Sequence, residues 1–101
     1  MKFETNNNRR VINWDLDGTL TTGEPFWKEE PKPDAANIEK VRDLYRRGNI
    51  IIIHTARQWE LAPETVAWLI KHRVPFHGIF MAKGGSDCYV DDKSCKPEDL
   101  E

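Results

Sequence analysis

The chain has 101 residues, 39% hydrophobic and 32% charged, with a formal net charge of −2. That length suits one domain with one core, and the composition suits a soluble globular chain rather than a disordered or membrane-spanning one. The weak charge gives no long-range pull on nucleic acid or anionic lipid, so neither partner is expected.

Residues 1–9 read as a flexible N-terminal arm ahead of a single domain. Met1-Lys2-Phe3-Glu4-Thr5 carries no apolar signal-peptide region. Arg10 to Trp14, with Val11, Ile12 and Trp14, predicts a first strand that stops at Asp15, with Gly18 close behind. Gly23, Pro25, Pro31 and Pro33 make residues 21–33 a loop rather than a regular element.

Asp34 is an N-cap for a helix reaching about Arg47, with Ile38, Val41, Leu44 and Tyr45 on its apolar face. Arg46 and Arg47 suit the last turn, and Gly48 takes the position after the cap. Asn49 to His54 holds four consecutive isoleucines, which predicts a parallel strand covered on both faces. A second helix is expected over about Pro63 to His72 with Val66, Leu69 and Ile70 inward. Pro75 separates it from a third strand, about Gly78 to Met81. A fourth short strand, Cys88 to Val90, leads into Asp91-Asp92. Cys88 and Cys95 match no zinc spacing and read as idle thiols in a reducing compartment, so a cytoplasmic location is expected.

The order strand, helix, strand, helix, strand, strand predicts an α/β fold, a minimal Rossmann-like three-layer sandwich with a short, mostly parallel sheet. Residues 82–87 are too few for a helical crossover between the last two strands, and the path of that connection does not follow from the sequence.

Ligands of open α/β sheets bind beyond the carboxyl ends of the strands. Each predicted strand is followed by a reactive side chain: Asp15, then Thr55, then Lys83, then Asp91 with Asp92. Several carboxylates with one lysine and one hydroxyl form an oxygen-rich site suited to Mg²⁺. Lys83 and Thr55 supply donors for phosphate oxygens. Asp15 and Asp17 stand two residues apart, and Gly18 permits a sharp turn that aims nearby amides at a phosphate. Singly, each feature has a plain structural explanation: Asp-Gly in turns, a capping threonine, a loop lysine, a surface acidic pair. Their conjunction, each at a strand end, favours the chemical one.

Asp15-Leu16-Asp17-Gly18-Thr19, the strand Ile50 to Ile53 with His54-Thr55, Lys83, and Tyr89-Val90-Asp91-Asp92 together resemble the four ordered motifs of the haloacid dehalogenase-like (HAD) superfamily. The resemblance runs from about Arg10 to Lys93. Thr55-Ala56-Arg57 and the acidic ending further resemble small members associated with capsular polysaccharide biosynthesis. The resemblance implies a cap-less, Mg²⁺-dependent phosphatase. Mg²⁺ would sit on Asp15, the Asp17 carbonyl and Asp92, with Asp91 in support. Asp15 would be the nucleophile forming an aspartyl-phosphate, and Asp17 the acid and base. Thr55, Lys83 and the backbone at Leu16, Gly18 and Thr19 would hold the phosphoryl group.

Arg57 is the candidate for a second anionic or hydroxyl-rich part of the substrate. The substrate class is a small phosphorylated molecule such as a sugar phosphate or a nucleotide. His54 reads as structural, Trp27 and Trp59 as pocket walls, and Trp14 and Trp68 as core. With no cap, a homo-oligomer is one way to exclude water from the open site. The rival functions are a phosphoacceptor module without turnover, a phosphotransferase of the same fold, and an interaction subunit.

Overall fold

The computed structural model describes residues 9–82 and 96–99. Lys83, the expected strand Cys88 to Val90, Asp91, Asp92, both cysteines and all but the last residue of the expected arm lie outside the described residues.

Three strands form one parallel sheet: β1 (Val11–Asp15), β4 (Ile50–His54) and β5 (Gly78–Phe80), in the order β1-β4-β5. Between β1 and β4 come β2 (Thr21–Thr22), β3 (Lys32–Pro33) and the helix α1 (Ala35–Arg46). Between β4 and β5 come a single 3₁₀ turn (Trp59–Leu61) and α2 (Ala62–Lys71), and a second 3₁₀ turn covers Pro97–Asp99. The register pairs Asp15 with His54 and His54 with Phe80, so all three strands end at one edge. The result is a small α/β domain whose parallel sheet is flanked by two helices.

Strand geometry decides which side chains meet the helices, because successive residues point to opposite faces. Ile12, Trp14, Ile51 and Ile53 join Ile38, Val41 and Leu44 of α1 and Trp68 and Leu69 of α2 in one buried cluster. The isoleucine run is therefore not equally covered. Ile51 and Ile53 are fully buried, while Ile50 and Ile52 stay half-buried.

The two helix ends of α1 match their sequence signals. Asp34 accepts from the Asn37 N–H at 3.0 Å at the start. At the end, Gly48 adopts φ +93° and the N–H groups of Gly48 and Asn49 return to the Tyr45 and Leu44 carbonyls, a Schellman closure. Asn49, nearly fully buried, then locks this turn to the sheet: its Nδ2 donates to the Leu44 carbonyl at 2.9 Å and its Oδ1 accepts from Arg10 N–H at 3.1 Å.

Three local expectations are corrected. The stripe of α2 is rotated by one residue: Thr65, Trp68 and Leu69 are buried, and Ile70 is 66% exposed. The indole of Trp68 is the larger group to bury, and its Nε1 donates to the Pro31 carbonyl at 2.8 Å, which fixes the helix in that rotation. Residues 21–33 are also not wholly irregular. Thr21–Thr22 pairs antiparallel with Lys32–Pro33, closing the intervening segment into a flap whose stem is a two-residue ladder. Tyr45, expected on the apolar face of α1, is half exposed and rests against the His77 ring at 5.5 Å.

Candidate active site

The edge where the strands end carries the first two motifs. Asp15 closes β1, and the chain then turns tightly. Leu16 is fully buried, and its carbonyl accepts from the N–H groups of Thr19, Leu20 and Thr21 at 3.2, 2.8 and 3.1 Å. Gly18 takes φ +82°, a backbone region that costs any other L-residue about 1 kcal/mol or more, and its N–H donates to Thr21 Oγ1 at 3.1 Å. The amides of Gly18 and Thr19, expected to face a phosphate, are thus engaged inside the turn. The turn instead swings Asp17 out toward the loop that leaves β4.

That loop begins at Thr55, one residue beyond the His54 that pairs with Asp15. Thr55 is almost fully buried; its N–H donates to the Phe80 carbonyl at 2.9 Å, and its Oγ1 accepts from Arg57 N–H at 3.1 Å. This two-residue side-chain turn directs Arg57 inward. The guanidinium grips Asp17 with both arms: Nε to Oδ2 at 2.9 Å and Nη2 to Oδ1 at 2.7 Å. Its remaining nitrogen, Nη1, donates to Thr65 Oγ1 on α2 at 3.1 Å, and the Phe26 ring of the flap covers the guanidinium, with Cζ 4.4 Å from the ring centroid. The Arg57 side chain is only 5% exposed, against 36% for Asp17.

Arg57 is therefore occupied by Asp17 rather than held open toward solvent. A forked, planar cation with its third nitrogen fixed is a rigid support, so it sets the direction of the Asp17 carboxylate. Two residues in this arrangement have no counterpart among the sequence-level candidates. Thr65 lay one position from the stripe assigned to α2, and Phe26 sat in a segment read as loop. A buried threonine on a helix facing an arginine would have been the usable signal once the phase of α2 was right.

The third strand brings its own end to the same place. Ala82 N–H donates to the Arg57 carbonyl at 2.7 Å, and Ala82 adopts φ +57°, a strained position for a residue with a Cβ. Lys83 follows directly in sequence. His54 packs edge-on against Phe80 at 5.7 Å, a structural arrangement. Trp14 and Trp68 belong to the buried core, whereas Trp59 is 62% exposed.

Beside Arg57 lies a cavity of about 660 Å³. Phe26, Trp27 and Pro31 of the flap line it from one side and Leu61, Ala67 and Trp68 from the other. Lys71 and Glu30 pair at its margin at 2.9 Å, which together with the Trp68 to Pro31 bond fastens the flap to α2.

For Mg²⁺, the chemistry of the donors fits: Asp15 and Asp17 offer only oxygen, as a hard cation prefers. Among the described residues no group of three or more His, Cys, Asp or Glu side chains could hold a metal ion. Asp91 and Asp92, which would extend the set, lie outside the described residues. Among the described residues no helix is long and apolar enough to cross a membrane.

Fold and edge together define the class: a small α/β domain with two carboxylates and a buried arginine where its parallel strands end. A crystal structure of a target protein from Vibrio cholerae shares this fold at a TM-score of 0.75 and 29% identity, over 88% of this chain and 85% of that one. One chain in the structure of a Pnkp1/Rnl/Hen1 complex shares it at a TM-score of 0.64 and 21% identity, over 89% of this chain. The matched region is 32% of that longer chain, so the likeness is to part of it. No family model matches the sequence, and no curated protein does.

Proposed function

We propose that the chain is an Mg²⁺-dependent phosphatase that hydrolyses a phosphate monoester through an aspartyl-phosphate on Asp15. The observation that carries this reading is the placement of Asp15 and Asp17 on one tight turn at the strand ends, with Asp17 tied across the edge to Arg57 beside Thr55. A nucleophile and a second, separately oriented carboxylate are what a two-step phosphoryl transfer needs.

In the proposed reaction an Asp15 oxygen attacks phosphorus, and the bond from phosphorus to the ester oxygen breaks. Asp17 gives a proton to the leaving alkoxide. A water molecule then attacks the aspartyl-phosphate, Asp17 takes its proton, phosphate departs and Asp15 is restored. At rest each oxygen of Asp17 accepts one N–H bond from Arg57, so the proton that Asp17 gives and takes would sit on the second lone pair of one of them. Thr55 and Lys83 would hold the phosphoryl oxygens, Thr55 through its hydroxyl hydrogen while the oxygen keeps the Arg57 N–H. Mg²⁺ would be held by the Asp15 carboxylate, the Asp17 carbonyl and Asp92 with Asp91 in support, and would supply charge opposite the phosphoryl oxygens.

The test is hydrolysis of a generic aryl phosphate with and without Mg²⁺ by the parent and by Asp15→Asn. Turnover by the parent with Mg²⁺ alone, abolished by the substitution, is expected. Equal rates for the two proteins would remove Asp15 as the nucleophile. A stable acyl-phosphate formed from acetyl phosphate without turnover would favour a phosphoacceptor module instead.

A further inference from the structure

We infer that the cavity between the flap and α2 receives a nucleobase, so that the substrate is a free nucleoside monophosphate. The inference rests on the phosphatase reading, because it assigns the part of the ester that leaves with the alkoxide.

The first argument is connection. Phe26 stacks edge-on against Trp27, with ring centroids 5.0 Å apart, and covers the Arg57 guanidinium. Arg57 holds Asp17. An unbroken chain of contacts therefore links the cavity wall to the candidate acid and base. Asp15, Asp17 and Thr55 are not among the lining residues, so the leaving group would run from Asp17 past Arg57 into the cavity.

The second argument is chemistry. About 660 Å³ lies within the range of small-molecule pockets. Two indoles and a phenyl ring among its walls suit a flat π-system, and Trp27 is 72% exposed, which leaves much of its indole uncovered for stacking. A bare sugar would need many hydrogen-bond partners where the walls offer mostly carbon. A hydrocarbon chain would make no use of the Glu64 carboxylate or of the Glu30–Lys71 pair at the lining. A base satisfies both, with exocyclic amines for the carboxylates and ring acceptors for the ammonium. The net charge of −2 gives no long-range pull on a polyanion, which favours a free nucleotide.

The test compares AMP with ribose 5-phosphate, which differ by the base alone. The parent is expected to prefer AMP in kcat/KM by roughly 5- to 150-fold, the range of one stacked base. Trp27→Ala is expected to bring that ratio close to one. Trp27 is largely exposed, so its loss leaves the core intact. Calorimetric titration with adenosine, which carries no phosphate, reads the cavity independently of turnover. Adenosine binding that Trp27→Ala abolishes, in a protein that hydrolyses no phosphate ester, would keep the cavity assignment and overturn the phosphatase reading. Hydrolysis with equal kcat/KM for AMP and ribose 5-phosphate, and no adenosine heat, would do the reverse. An AMP preference that survives Trp27→Ala overturns the inference, as does faster turnover of a 5′-phosphorylated oligonucleotide than of AMP.

Discussion

Replacing Asp17 by alanine should destabilise the fold far more than a surface carboxylate would. Asp17 is more than a third exposed, but its partner Arg57 is 5% exposed and cannot turn to water. Asp17→Ala therefore strands a guanidinium with Thr65 Oγ1 as its side-chain acceptor. Breaking a buried ion pair from one side costs about 3–5 kcal/mol, and partial screening at Asp17 places this case near about 3 kcal/mol. For a domain of this size that is a fall in Tm of roughly 12–24 °C. The reciprocal change, Arg57→Met, keeps most of the volume and leaves a carboxylate that water can reach, so about 1–2 kcal/mol is expected. Urea unfolding followed by circular dichroism, run as a double-mutant cycle, separates the two. The double variant should recover stability relative to Asp17→Ala alone. A loss below about 1 kcal/mol for Asp17→Ala, or no recovery in the double variant, would refute the argument that Arg57 is a buried charge dependent on Asp17.

Three further outcomes follow from single contacts. Asn49→Ala removes the side chain that joins the Leu44 carbonyl to the Arg10 N–H, and should cost about 2 kcal/mol in urea unfolding. Arg73 occupies the left-handed position closing α2 at φ +56° with an exposed side chain, so Arg73→Gly should raise stability by about 0.5–1 kcal/mol, a few degrees in Tm. The Glu39 carboxyl is held below its ordinary 4.5 by the Arg46 hydrogen bond first and the Arg42 one second. A depressed carboxylate stabilises the fold above its ordinary value and loses that contribution as pH falls through the lowered one. The stability gap between the parent and Glu39→Gln should therefore be present at pH 7 and shrink below about pH 4.5.

The helix α1 was legible because every one of its signals is local. Asp34, the apolar period and Gly48 each act within a few residues, and Asp34 bonds Asn37 as the pattern requires. The helix α2 was legible in position but not in rotation. Its first turn has no side-chain cap to set the phase, and the decisive contact is long-range, from Trp68 to Pro31. The ladder between β2 and β3 escaped for a related reason: two residues on each side are too few to show alternation, and Lys32–Pro33 carries no strand signature.

The site divides along the same line. That Asp15 and Thr55 stand at neighbouring strand ends follows from counting strands, since the parallel register puts His54 beside Asp15. What Arg57 does there does not follow, because the sequence suited a substrate-holding arginine and an exposed helix-entry one equally well, and the side chain is neither. The deciding residue was Thr55, weighed as a phosphate donor and as a local cap. In the structure its oxygen accepts the Arg57 N–H, and that turn sends the guanidinium toward Asp17, 40 positions away, rather than outward. An arginine so used removes one way of recognising substrate from the strand-end edge. On the proposed phosphatase reading, selectivity beyond the phosphate would then fall to the flap, whose Phe26 lies on the same guanidinium and whose Trp27 lines the cavity. Among the described residues there is no inserted cap, so on that reading the hairpin-closed segment between Thr22 and Lys32 would be the element to shield the chemistry from water and to read the leaving group.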